Sequence, residues 1–207
     1  MTRTIAAIIL LASFLASPVQ AQVQQVMDEA VSEFFAGRIE ESVRGFDRVV
    51  QMSPQSAPHL WQRGIALYYA GRYKDCRLQF ESHRTVNPND VENAAWHFLC
   101  VARQESAEKA RAALLPVGRD GRVPMREVLE MFAGKLSADD VMKAAGSSAS
   151  GQFYGNLYVG LYAEAMGDQT KAMRYLREAA DPKNAAVGGY MYEVARVHVK
   201  LRESSGR

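Results

Sequence analysis

HLWQRGIALYYAGRYKDCRLQFESHRTVNPND, residues 59–90, holds two helical stretches divided by Gly71-Arg72 and closed by Asn87-Pro88. The spacing predicts a first helix over 57–70, a turn at the glycine, and a second helix over 73–86 that stops before proline, which a helix interior does not accept. Gly71, Phe80 and Pro88 each stand 34 residues after Gly37, Phe46 and Pro54, so the unit has already occurred once. A period of this length marks stacked helical hairpins, each of which can bury its apolar face only against its neighbours. Gly64 falls where the paired helices approach most closely, and its counterpart one period earlier, Ala30, is also small.

The earlier unit runs through Val23, Val26, Met27, Ala30, Val31 and Phe34, breaks at Gly37-Arg38, and resumes with Ile39, Val43, Phe46, Val49 and Val50. After Pro88 the period erodes. Asn89 or Asp90 caps a helix over 91–103, with Glu92 placed for a capping box from Asn89. The helix partner, 107–115, is short, and Phe98 stands where a small residue is expected, so this pair must cross differently. Residues 117–152 read as a degenerate repeat with a linker: a polar turn, a helix over 125–132 broken at Gly134, a short helix to Ala145 capped by Ser137 with Asp140, and a flexible GSSASG joint. The pattern returns with a helix over 153–166 containing Gly160, a Gly167-Asp168 turn, and a helix over 169–180. Residues 187–201 form a terminal helix covering an exposed apolar end.

The first 21 residues read as a separate object. Arg3, the 11-residue apolar run from Ile5 to Leu15, Pro18 and a small-residue end at Ala21 predict a cleaved secretory signal, too short to span a bilayer. Without it 186 residues remain, with 24 basic and 23 acidic side chains. That balance argues against a nucleic-acid or anionic-membrane binder, because neither backbone phosphates nor headgroups would meet a basic field.

Gly64 to Phe80 with Pro88, reading G-x6-G-R-Y-K-D-C-x3-F-x7-P, resembles the tetratricopeptide repeat over roughly residues 23–116 and 153–200. Cys76 replaces that pattern's alanine and Leu60 its frequent tryptophan. The resemblance implies an all-α, right-handed solenoid of helical hairpins with a C-terminal capping helix, acting as a non-catalytic adaptor. The run from His59 to Asp75 with Asn87 to Asp90 also looks like the NlpI-type tetratricopeptide proteins of the bacterial envelope, which implies cell-envelope enzymes as partners. The chain departs from them in lacking a lipobox cysteine and in its divergent middle. It resembles exported plastid tetratricopeptide proteins too, so a periplasmic or secreted location and an organelle lumen such as the thylakoid both stay open.

In such a solenoid the first helices line a concave groove. Trp61, Ile65, Tyr68 and Tyr69 would line it, with Met27, Val31, Phe34 and Phe35 in the equivalent places one repeat earlier. The alternative for an aromatic stripe at helical spacing is core packing. Arg63 and Arg72 are candidates to hold a partner's carboxylates. Cys76 and Cys100 are either two buried thiols or a disulfide across adjacent antiparallel helices. Geometry opposes a zinc site made of these with His83 and His97, because seven residues separate Cys76 from His83 by about 10 Å along a helix. HExxH, G-x-S-x-G and GxxxxGK[ST] are all missing, and Arg119, Arg122 and Arg126 read as an exposed polar turn. The expectation is therefore an exported, non-enzymatic protein-binding scaffold without cofactor, metal, nucleic-acid partner or stable membrane anchor. A self-associating structural subunit is the alternative.

Overall fold

The computed structural model describes residues 18–205, whose regular secondary structure is entirely helical, without a strand among them. The expected leader lies outside the described residues apart from Pro18 to Ala21, which open the first helix. The order is α1 (Pro18–Ala36), α2 (Ile39–Met52), α3 (Trp61–Tyr69), α4 (Tyr73–His83), α5 (Val91–Gln104) and α6 (Ala107–Ala112). There follow α7 (Met125–Phe132), α8 (Ala138–Ala145), α9 (Ala149–Ala165), α10 (Gln169–Ala179) and α11 (Ala185–Ser205). None of these helices is long and apolar enough to cross a membrane.

One turn builds four of the hairpins. At the end of α3, Gly71 takes φ +72°, its N–H bonds to the Tyr68 carbonyl, and the Arg72 N–H reaches back to the Leu67 carbonyl at 2.9 Å. A side chain would resist that left-handed backbone, so glycine ends the helix and reverses the chain. The same pair of bonds recurs at Gly37, Gly134 and Gly167. The middle of the chain, read as degenerate, therefore contains a hairpin of the same construction, α7 with α8. Its second helix begins with a Ser137 and Asp140 capping box, as expected.

Helix pairs are pressed together where the small residues lie. A β-carbon built on Gly64 would sit 2.7 Å from the Phe80 ring, and one on Gly160 2.6 Å from Leu176. In the first pair the corresponding contact is Gly45 against Ala30. The α5–α6 pair differs: α6 is a turn and a half, and Phe98 projects past it to pack edge-on against Phe132 of α7 at 5.0 Å. Cys76 on α4 and Cys100 on α5 are joined by a disulfide, with Cα atoms 5.9 Å apart and both residues buried.

Several boundaries differ from the sequence reading: α4 ends at His83 and not at 86, α6 at Ala112 and not at 115, and three further departures have local causes. Residues 54–59 form a 3-10 turn and α3 starts at Trp61, not Ala57, since Pro58 has no N–H to give a helix interior. GSSASG is not a flexible joint. Gly146 ends α8, the Ser148 hydroxyl accepts from the Gly151 N–H, and α9 starts at Ala149. Of the two expected caps Asp90 is the one that caps α5, accepting from the Glu92 N–H at 3.0 Å, whereas the expected capping box from Asn89 does not form because the Glu92 side chain turns elsewhere.

The terminal helix is the largest departure. Rather than only covering an exposed end, α11 lies on α9 and α10 and reaches back to α1. Arg196 donates to the Phe35 carbonyl at 2.7 Å and Lys200 to the Ala36 carbonyl at 2.9 Å. These are unpaired carbonyls at the negative end of α1, where cations are favoured. A break at Gly189 (φ +51°, ψ −129°) bends α11 into this position.

Two outcomes test this packing. Gly64→Ala gains about 1 kcal/mol of helix propensity but drives a methyl into the buried Phe80 ring, which costs about 1–3 kcal/mol. The expected net result in chemical denaturation is a loss of stability. The unreduced protein should give the mass of a species with no free thiol. Reduction should then lower its stability by about 3 kcal/mol, as expected for a bridge spanning an interval of 24 residues.

Candidate functional site

The inner helices α1, α3 and α5 bring aromatic side chains onto one face, and α11 inserts a ring among them. Tyr190 stacks on Phe34 at 6.0 Å between centroids, meets Phe35 at 5.0 Å, and packs edge-on to Trp61 at 4.8 Å. Tyr69 contacts Phe34, Tyr68 and Trp96, and Tyr68 contacts Trp96 at 5.4 Å. Of the expected groove residues Phe34, Phe35, Trp61, Tyr68 and Tyr69 are thus brought together, but the expected set is not equally available. Phe34, Ile65 and Tyr68 are buried, while Met27, Trp61 and Tyr69 remain partly exposed.

The two arginines expected to hold a partner's carboxylates hold one of this chain's own. Arg63 Nη2 lies 2.7 Å from Asp47 Oδ1 and Arg72 Nη1 2.8 Å from Asp47 Oδ2, so α2 is tied to α3 and to the start of α4. Arg63 also donates to Gln79 and Arg72 pairs with Asp75. Burial raises the Asp47 carboxyl, and the bonds from Arg72 and Arg63 outweigh it and hold it below its usual value. A bidentate demand of this kind uses up the donors a partner would need.

A polar network fixes α11 against α3 and α9. The Tyr69 hydroxyl lies 2.9 Å from His198 Nδ1, His198 Nε2 lies 3.4 Å from Glu164 Oε1, and Arg202 Nε is 2.6 Å from the same oxygen. The order Tyr, His, Glu resembles a nucleophile, base and orienter. Burial drives the Tyr69 hydroxyl well above its ordinary pKa, so it stays protonated and serves as a hydrogen-bond partner of His198. Burial by itself would raise Glu164 as well, but His198 and Arg202 prevail and hold its carboxyl at about 2.

Beside Tyr190 the aromatic face opens into a cleft of about 180 Å³, lined by Trp61, Ile65, Phe80, Trp96 and Met191 with His83, Asp90, Glu92 and Asn93. Its apolar wall comes from α3, α4, α5 and α11, and its polar residues from α4 and the start of α5. His83 Nδ1 bonds to the Pro58 carbonyl at 2.8 Å. Two buried groups in the lining, Asn93 Oδ1 and the indole N–H of Trp96, find no partner among the described residues. At its edge Arg122 gathers three carboxylates, approaching Asp90 at 2.6 Å, Glu92 at 2.5 Å and Asp120 at 2.7 Å. Tyr158 donates to the other Glu92 oxygen at 2.5 Å. Burial pushes Glu92 above its ordinary value against the pull of Arg122.

Arg122 thus lies in an exposed polar turn, as expected, but its guanidinium is engaged by carboxylates of this chain. The sequence reading also passed over Tyr190, Asn93, Trp96 and Glu164. The Asp90 and Glu92 spacing looks like ordinary capping, and Tyr190 lies on a helix whose destination no periodicity records. Among the described residues no three His, Cys, Asp or Glu side chains are grouped to hold a metal ion. His97 lies instead 3.3 Å from Glu81, and the cysteines are bonded to each other.

The Glu164 pairing sets an acid dependence. A carboxyl held at about 2 in the fold and near 4.5 in the unfolded chain contributes about 3 kcal/mol above that higher value, lost as pH falls toward 2. In an acid titration followed by tryptophan fluorescence, Glu164→Gln should be less stable at neutral pH and should show a flatter response across this window. No known protein-family model matches this chain.

Proposed function

We propose that this protein is a tetratricopeptide-like, right-handed solenoid that serves as a non-catalytic adaptor in an exported compartment, periplasmic or secreted, gripping a helical segment of another protein. The observation that carries this reading is Tyr190 seated among Phe34, Phe35 and Trp61. The inner face accommodates an amphipathic helix, and here the chain supplies that helix itself. Aromatic rings suit this task because they offer large contact area at small conformational cost. The partly exposed edge, Met27, Trp61 and Tyr69, is where a second segment can compete with α11 or extend beyond it.

A photo-crosslinking residue in place of Met27, in protein expressed in its native compartment, should yield a discrete adduct with another protein. Trp61→Ala should reduce recovery of that partner by about fivefold or more, the loss expected at an aromatic hot spot. Tyr190→Ala, which loosens the resident helix, should raise it. Unchanged recovery by a Trp61→Ala variant with native helical content would remove the adaptor reading.

A further inference from the structure

The cleft beside Tyr190 has a composition that the groove reading does not explain. Its wall is aromatic and aliphatic: Trp61, Phe80, Trp96, Ile65 and Met191. Its polar side presents the carboxylates of Asp90 and Glu92, with the Asn93 carboxamide oxygen unpartnered although Asn93 is only 4 % exposed. An acceptor buried in this way calls for a donor.

The charges point the same way. Among the described residues Arg122 is the one guanidinium facing Asp90, Glu92 and Asp120 together. The other contacts to these groups come from neutral donors, among them Asn87 to Asp90 at 3.0 Å, the Glu92 N–H to Asp90, Tyr158 to Glu92, and the Val91 N–H to Asp120 at 3.2 Å. Three acids are answered by one base, which leaves an excess of negative charge at the mouth of an aromatic-walled cavity. Ring faces and carboxylates both attract a cation, and apolar walls receive the stem that carries it. The size fits too, since a dry cavity of about 150 Å³ accepts a benzene-sized guest.

We infer that this cleft binds an organic cation, an ammonium or guanidinium head on a short apolar stem, with the head toward Asp90, Glu92 and Asn93 and the stem between Trp61 and Met191. A lysine or arginine side chain of a partner and a free alkylamine share this chemistry. The inference rests on the adaptor reading only for the source of the cation, not for the site.

The test titrates the intact purified protein with butylammonium, with 1-butanol as the neutral analogue, and with lysine blocked at both ends as N-acetyl and N-methylamide. The two tryptophan indole N–H signals are followed by NMR. Butylammonium should shift both signals saturably and bind roughly tenfold more tightly than butanol, the scale of a desolvated cation–aromatic contact. Asp90→Asn should weaken binding severalfold without unfolding, because asparagine caps a helix as well as aspartate. Trp61→Ala, at the exposed rim, gives a second variant should the first disturb α5. Blocked lysine binding as well as butylammonium would assign the site to a protein side chain. Butylammonium binding alone would assign it to a free amine. Equal binding of butanol, shifts that spare the indoles, or no saturable shift with butylammonium would overturn the assignment, while leaving partner capture through Met27 to be judged by its own result.

Discussion

Each hairpin in this chain leaves an apolar inner face that it cannot cover alone, and burying that face is the constraint on which the architecture depends. Stacking covers the sides of successive hairpins, with Phe80 lying against Gly64 and Leu176 against Gly160. Stacking alone leaves the ridge of first helices open. The described chain covers much of it with α11, whose Tyr190 enters the aromatic cluster and whose Arg196 and Lys200 hold the free carbonyls at the end of α1. The last helix is thereby fastened to the first through both hydrogen bonds and ring contacts.

This closure changes what the aromatic stripe is for. Phe34, Ile65 and Tyr68 serve the core, as one of the two readings of such a stripe holds, while Trp61 and Tyr69 stay at the edge of a partly filled face. The polar residues divide in the same manner. Arg63 and Arg72 are consumed by Asp47, whereas Asp90 and Glu92 exceed what Arg122 can neutralise. Chemical character is therefore concentrated in the small cleft between α5 and the bend of α11, not along the full length of the aromatic face.

Much of the hairpin framework could be read directly because its causes are local. A glycine that must take positive φ, a proline that must end a helix and a hydroxyl that must cap one act within a few residues, so the turns at Gly37, Gly71 and Gly167 and the caps at Ser137 and Asp90 follow from neighbouring residues. The same locality misleads at Ser147 to Gly151, where composition suggests a loose joint although Ser148 caps α9 and Gly151 packs tightly against Ala145.

The 34-residue spacing, the turn glycines and the small residues at the crossings determined by themselves that the chain folds as helices paired in hairpins, since each acts through backbone geometry within one turn or one period. Only tertiary structure decided where α11 goes, which of the clustered aromatics are sealed, that Cys76 and Cys100 meet, and that Arg122 gathers Asp90, Glu92 and Asp120. Those contacts join residues as many as 164 positions apart, and no periodicity in the chain encodes a meeting between surfaces that exist only after the hairpins have stacked.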